Sequence, residues 1–138
     1  MGLIVDTCEF IALERTGGSP GDIIDFFGTS ELYAVSVMTL AELRHGVQRA
    51  NSDQRREQRQ RFLDDVISDF PIYSMDERIA LRLGELDAWM QMNGKKRDLP
   101  DLIIAATALE LDFAVATQNR KHFEDISGLR LAKPLPAP

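Results

Sequence analysis

Three carboxylates and one amide stand at positions where chemistry could be done: Asp6, Glu42, Asp101 and Asn119. Asp6 follows directly on the run Leu3-Ile4-Val5, which reads as a buried strand, so it sits at that strand's carboxyl end. Asn119 lies three residues past a later strand, in Thr117-Gln118-Asn119. In open parallel sheets, sites form outside the carboxyl ends of the strands. Asp101 falls in the first turn of the segment Leu99 to Leu111, which is apolar nearly all round. A carboxylate entering such a helix needs a partner, although the helix dipole also gives a first-turn aspartate a purely structural reading. Glu42 shares a helix face with Thr39 and Gly46, away from the apolar arc of Leu40, Leu43 and Val47. An ordinary solvated glutamate is the plain reading there, while the missing side chain at Gly46 leaves room for a neighbour or ligand.

If Asp6, Glu42 and Asp101 converge, their charges repel unless some stay protonated or a hard divalent cation joins them. Oxygen donors with a single cysteine, Cys8, favour magnesium or manganese over zinc. Such an ion activates water and neutralises charge on a phosphoryl group.

The elements that must position these residues alternate. After the first strand, Thr7 to Arg15 reads as a short helix closed by Gly17-Gly18, and Ser19-Pro20 opens a second helix that Gly28 stops. Leu32 to Val37 is the second strand and Thr39 to Gln48 a helix. Asp53 to Phe70 is a longer helix whose first half has no apolar residue. Pro71 breaks it before a third strand at Ile72-Tyr73. Asp76 caps a helix with the stripe Ile79, Leu83, Leu86 and Met90, ended by Asn93-Gly94. Phe113 to Ala116 is the fourth strand, Lys121 to Glu124 a short helix, and Leu129 to Leu131 a possible fifth strand. This alternation predicts an α/β fold, a twisted parallel sheet of four to five strands covered on both faces. We expect one domain over residues 1–131 and a loose, Pro-rich tail over 132–138.

Composition narrows the class. The chain has 138 residues, 44% of them apolar, and a net charge of −6. That is enough to bury a core and too acidic to coat nucleic acid through bulk charge. The charge is uneven, with six arginines from Arg44 to Arg61 against Asp53 and Glu57, and a second basic cluster at Lys95-Lys96-Arg97. The helix segment 54–61 could grip phosphates or simply be a solvated face. No apolar run approaches the length of a membrane span, and the opening residues lack the basic start of a leader. A cytoplasmic location is the expectation.

Four motifs in order then carry a resemblance. Leu3-Ile4-Val5-Asp6-Thr7, Ser36 to Val47, Asp101 to Ala108, and Thr117-Gln118-Asn119 with His122-Phe123 resemble the PIN domain, most of all the VapC-type toxins of toxin–antitoxin pairs. The likeness runs from residue 3 to about 131. It implies a magnesium-dependent endoribonuclease, with manganese a possible substitute, whose metal ligands are Asp6, Glu42 and Asp101 and whose fourth site position is Asn119. Thr7 and Thr117 match polar positions beside that site, whereas Cys8 departs from the Asn or Ser found there in relatives. It further implies cleavage of transfer or ribosomal RNA by metal-activated water, a small antitoxin partner, and operator DNA met only through the antitoxin; a homodimer is expected from the surplus apolar surface of the helix Asp76 to Met92. Trp89 and Met92, beside the main stripe of their helix, are candidates for the dimer face. Two other readings compete. His45 and His122 could serve as a metal-free acid–base pair acting through the RNA 2′-hydroxyl, which leaves the carboxylates without a purpose. Alternatively, the chain could be a non-catalytic partner- or DNA-binding subunit.

Overall fold

A computed structural model describes residues 2–136. Its order is β1 (Gly2–Val5), α1 (Thr7–Arg15), α2 (Gly21–Phe27), β2 (Leu32–Ser36), α3 (Val37–Gln48), α4 (Asp53–Asp69), β3 (Ile72–Tyr73), α5 (Glu77–Met92), α6 (Leu99–Leu111), β4 (Ala114–Ala116) and a 3-10 turn (Arg120–His122). The strands pair in parallel in the order β3-β2-β1-β4, with Ile4 opposite both Ala34 and Val115. From β1 the chain moves outward to β2 and β3, then returns to lay β4 on the other side of β1. The direction of winding therefore reverses between β1 and β4, and the crevice at their carboxyl ends is the topological switch point.

Strand alternation divides the core into two. Ile4, Ala34 and Val115 face α5 and α6, packing with Ile79, Leu86, Met90 and Ile104. Leu3, Val5, Tyr33 and Val35 face the other way and pack with Phe10, Ile23, Phe62 and Val66 from α1, α2 and α4. Every residue from Leu102 to Ala108 is buried, as an all-round apolar helix requires. Each large side chain removed fully from water in this way contributes roughly 1.5–3 kcal/mol.

Caps set the helix starts. Ser36 ends β2 one residue earlier than the sequence reading, because its hydroxyl accepts from Met38 N at 3.1 Å and draws Val37 into α3. Asp76 caps α5 by accepting from Ile79 N at 2.9 Å. At α2 the N-cap is Pro20 and not Ser19: the Ser19 hydroxyl caps nothing, and Asp22 reaches back to accept from Ser19 N at 3.1 Å and from its hydroxyl at 3.3 Å. Gly94, at φ 66, takes the left-handed conformation beyond α5.

One expectation fails at the end of the chain. No fifth strand forms at Leu129–Leu131; there is a single parallel bridge from Val115 to Leu131, with Val115 N donating to Arg130 O and Ala132 N to Val115 O, both at 2.9 Å. The chain then turns toward α2, where Lys133 Nζ lies 4.5 Å from the centre of the Phe26 ring, and Pro134 and Pro136 have no N–H to extend the pairing. The tail expected over 132–138 thus starts with contacts at Ala132 and Lys133, and residues 137–138 lie outside the described residues. Trp89 packs partly buried against the core on the α5–α6 side, whereas Leu81 and Met92 are exposed at 71% and 85%.

Candidate active site

Asp6 occupies the N-cap position of α1, yet its carboxylate caps nothing there. Its backbone N–H completes the sheet by donating to Ala116 O at 3.0 Å. Its carboxylate instead accepts from Thr117 Oγ1 at 2.8 Å, directly across the switch point. The Cys8 thiol lies 3.2 Å from the same Asp6 oxygen. Thr117 Oγ1 also accepts from Asn119 N at 2.9 Å. One hydroxyl therefore fixes both the first-strand carboxylate and the turn after β4. Asp6 and Thr117 are only 4% and 2% exposed, so the network is held in low dielectric.

Glu42 reaches the same edge from α3. Thr7 Oγ1 donates to Glu42 Oε1 at 2.7 Å, and Thr39 Oγ1 lies 2.9 Å from Thr7 Oγ1. With its single proton committed to the carboxylate, Thr7 accepts from Thr39. Thr39 is wholly buried, so the polar face of α3 turns inward against α1 and the solvated reading of Glu42 does not hold. A Cβ on Gly46 would meet nothing within 4 Å. It borders a cavity of about 120 Å³ that also takes in Glu42, Ile11, Glu14 and Leu43.

Asp101 stands at the start of α6 with its side chain 17% exposed, and His122 Nδ1 lies 2.9 Å from its Oδ2. His122 thus serves Asp101 and is not half of a histidine pair; His45 is exposed on α3, apart from it. A cleft of about 410 Å³ opens above Asp101, lined by Lys96, Arg97, Asp98, Lys121 and His122. Asn119 joins through its backbone, and its side chain is exposed without a hydrogen bond to the acids.

The electrostatics make these carboxylates a group. Burial pushes Glu42 above the usual carboxylate range, and the charges of Asp6 and Asp101 push the same way against the Thr7 hydrogen bond. Burial also raises Asp101, with Asp6 adding to the rise and His122 opposing it. Among the described residues, no lysine or arginine forms an ion pair with Asp6, Glu42 or Asp101. Cys8, shut in and facing Asp6, has its thiol pushed up to about 12, so it is a neutral neighbour and not a nucleophile.

Sequence reasoning passed over Glu9. It is 2% exposed, and its carboxylate accepts from Gln118 N at 2.6 Å, with the Cys8 thiol 3.6 Å away. Burial raises its pKa too, with Asp6 contributing. Its position three residues beyond Asp6 on the same helix, immediately before the buried Phe10, was the available signal.

The donor set suits a hard dication: oxygen ligands, partly desolvated, with uncancelled negative charge. Among the described residues, no three His, Cys, Asp or Glu side chains come together as a ready metal cage. Magnesium, which keeps several of its waters and prefers carboxylate oxygens, is an ion that such donors suit.

Comparison with known proteins identifies the family. The PIN domain family model matches residues 3–129. Ribonuclease VapC1 of Rickettsia felis is 30% identical over 131 residues, 95% of each chain. Ribonuclease VapC5 of Mycobacterium tuberculosis is 33% identical over 116 residues, 84% of this chain and 82% of that one. Among solved structures, VapBC2 of Rickettsia felis, bound to a DNA fragment from its promoter, superposes with a TM-score of 0.84 at 26% identity, covering 96% of this chain and 98% of the other. VapBC-5 of Mycobacterium tuberculosis, a toxin–antitoxin system, gives 0.73 at 28% identity over 94% and 98%. The chain belongs to the PIN-domain family, within its VapC-type branch.

Proposed function

We propose that this chain is the endoribonuclease toxin of a toxin–antitoxin pair, hydrolysing RNA phosphodiesters with the help of magnesium, for which manganese can substitute. The observation that carries the reading is the set of uncancelled carboxylates, Asp6, Glu42 and Asp101, at the switch point of a parallel sheet. Relatives that are named ribonucleases support it.

Asp6, Glu42 and Asp101 would hold the ion, which when bound supplies positive charge to the phosphoryl oxygens and makes a nearby water more acidic. The remaining work belongs to the chain. Thr117 holds Asp6 in place, and the Thr39–Thr7 relay holds Glu42 Oε1, which leaves Oε2 to accept the attacking water's proton. The water oxygen bonds to phosphorus as the bond to the 3′-oxygen breaks, leaving 5′-phosphate and 3′-hydroxyl ends. Asn119 adds no charge, and its place at the rim suits contact with substrate more than with the ion. Substrates would be cellular RNAs, transfer or ribosomal, met in the cytoplasm. The described residues contain no helix long and apolar enough to cross a membrane.

Partners follow the solved relatives, which are VapBC and FitAB assemblies, some of them bound to DNA. A small antitoxin, a homodimer and operator DNA reached through the antitoxin are the corresponding assignments here. The test is incubation of the free protein with total cellular RNA and magnesium, beside an Asp6→Asn variant. Discrete cleavage by the unaltered chain, lost in the variant, supports the reading. A chain that cuts no RNA and binds only its partner would instead be a non-catalytic subunit.

A further inference from the structure

The cleft over Asp101 has a basic lip of Lys96, Arg97 and Lys121, with Lys95 next to it in the chain, and two of these four cations differ from the others. Lys95 pairs with Asp125 at 3.0 Å, and Arg97 holds the same carboxylate through both oxygens at 2.6 Å. These two charges are spent on structure. Arg97 does more, donating to the backbone carbonyls of Lys96 at 2.7 Å, His122 at 2.9 Å and Lys121 at 3.2 Å. One guanidinium, only 17% exposed, therefore ties the strand-like approach to α6 to the turn after β4. Lys96 and Lys121, whose carbonyls it grips, are exposed, and among the described residues neither forms an ion pair. They stand in the same cleft as Asp101.

A polyanion approaching three uncancelled carboxylates in a chain of net charge −6 meets repulsion. Free ammonium groups beside the acids offset it where they can reach phosphates flanking the one attacked. We infer that Lys96 and Lys121 form a phosphate subsite for single-stranded RNA beside the catalytic acids, with Arg97 as the residue that positions them. The inference rests on the ribonuclease reading above. It assigns the RNA path to the α6 side of the acids, not to the basic half of α4. There Arg55 and Arg59 are bound to Glu14, and Arg59 also donates to Gly46 O.

The test uses the full chain carrying Asp6→Asn, so that cleavage does not interfere. Its probe is a fluorescein-labelled single-stranded RNA 12-mer of mixed sequence, followed by anisotropy in magnesium across a potassium chloride series. Adding Lys96→Ala or Lys121→Ala should weaken binding several-fold and flatten the plot of log K against log[salt] by about 0.7 each, the value of one phosphate contact on a single strand. Arg61→Ala, an exposed arginine on α4, should leave both quantities unchanged. In the cleaving chain, the two lysine changes should raise KM with kcat nearly constant, as loss of binding common to ground and transition states does. Lysine variants that match their parent in affinity and slope would overturn the subsite while leaving the ribonuclease reading intact. Failure of the parent to bind, with no cleavage by the unaltered chain, would remove both.

Discussion

The acid edge and the basic half of α4 treat charge in opposite ways. On α4, Arg55 clasps Glu14 at 2.7 and 2.9 Å, Arg59 reaches the same carboxylate at 3.7 Å, and Arg56 pairs with Asp53 at 2.8 Å. Arg44 is engaged by Gln60 across α3 and α4. A run that looks like a nucleic-acid grip is therefore mostly a weld between α4, α1 and α3. At the acid edge the reverse holds: the charge of Asp6 bears on both Glu42 and Asp101, and among the described residues no lysine or arginine pairs with any of the three. Charge that is satisfied builds the fold. Charge left unsatisfied at a topological switch point opposes folding, and under the proposed function it is kept for chemistry, so the two regions should fail differently when altered.

The largest effect should come from the acid edge. Asp101→Asn keeps the size and an acceptor for His122 while removing the charge, and should lower the RNA cleavage rate by at least ~100-fold, the scale of losing one well-placed electrostatic contact. Its unfolding midpoint in urea should stay near the parent's. Glu14→Ala should do the opposite. It leaves Arg55 and Arg59 without their carboxylate and should reduce stability by roughly 1–3 kcal/mol in urea unfolding, while the folded fraction cleaves at close to the parent rate. A Glu14 variant that is stable but inactive would place the chemistry on α4 and break the comparison.

Thr117→Val lies between the two regions in kind. The side chain is 2% exposed and nearly isosteric, so packing survives, but the donor to Asp6 and the acceptor for Asn119 N are lost. A loss of about 1–2 kcal/mol in stability should accompany a fall in cleavage smaller than that of Asp101→Asn, because Asp6 keeps its charge and loses only its aim.

The smallest effect concerns Glu42 and pH. Its pKa is raised in the folded chain, so the ionised form is the one that folding penalises. The penalty is absent below the ordinary carboxylate range and complete above the raised pKa. Glu42→Gln keeps the acceptor for Thr7 and should therefore melt slightly above the parent at pH 7 in EDTA. The advantage should vanish as pH falls through the carboxylate range, and should shrink when magnesium is added to the parent at pH 7.

These contrasts also mark what could be read in advance. Asp6 and Asp101 were legible because each is local, one closing a β-branched run and the other opening an apolar helix. Glu42 was half legible: periodicity sorts apolar from polar faces, and cannot show that a polar face is buried when its hydroxyls satisfy each other, as Thr7 and Thr39 do. Glu9 escaped because its partner, the Gln118 amide, is 109 residues away. The arginines of α4 stayed ambiguous for the same reason, since Glu14 lies 41 residues before Arg55. The residues 129–131 have strand composition, but pairing there depends on where the tail goes, and the tail goes to Phe26.

Product ends from one purified RNA, cut with magnesium and again with excess EDTA, test the central claim most directly. The carboxylate account predicts 5′-phosphate and 3′-hydroxyl ends with magnesium and no cleavage in EDTA. Cleavage that persists in EDTA, or products ending in 2′,3′-cyclic phosphate, would contradict it, because the attacking group would then be the RNA's own 2′-hydroxyl and the acids at the switch point would have no part in the reaction.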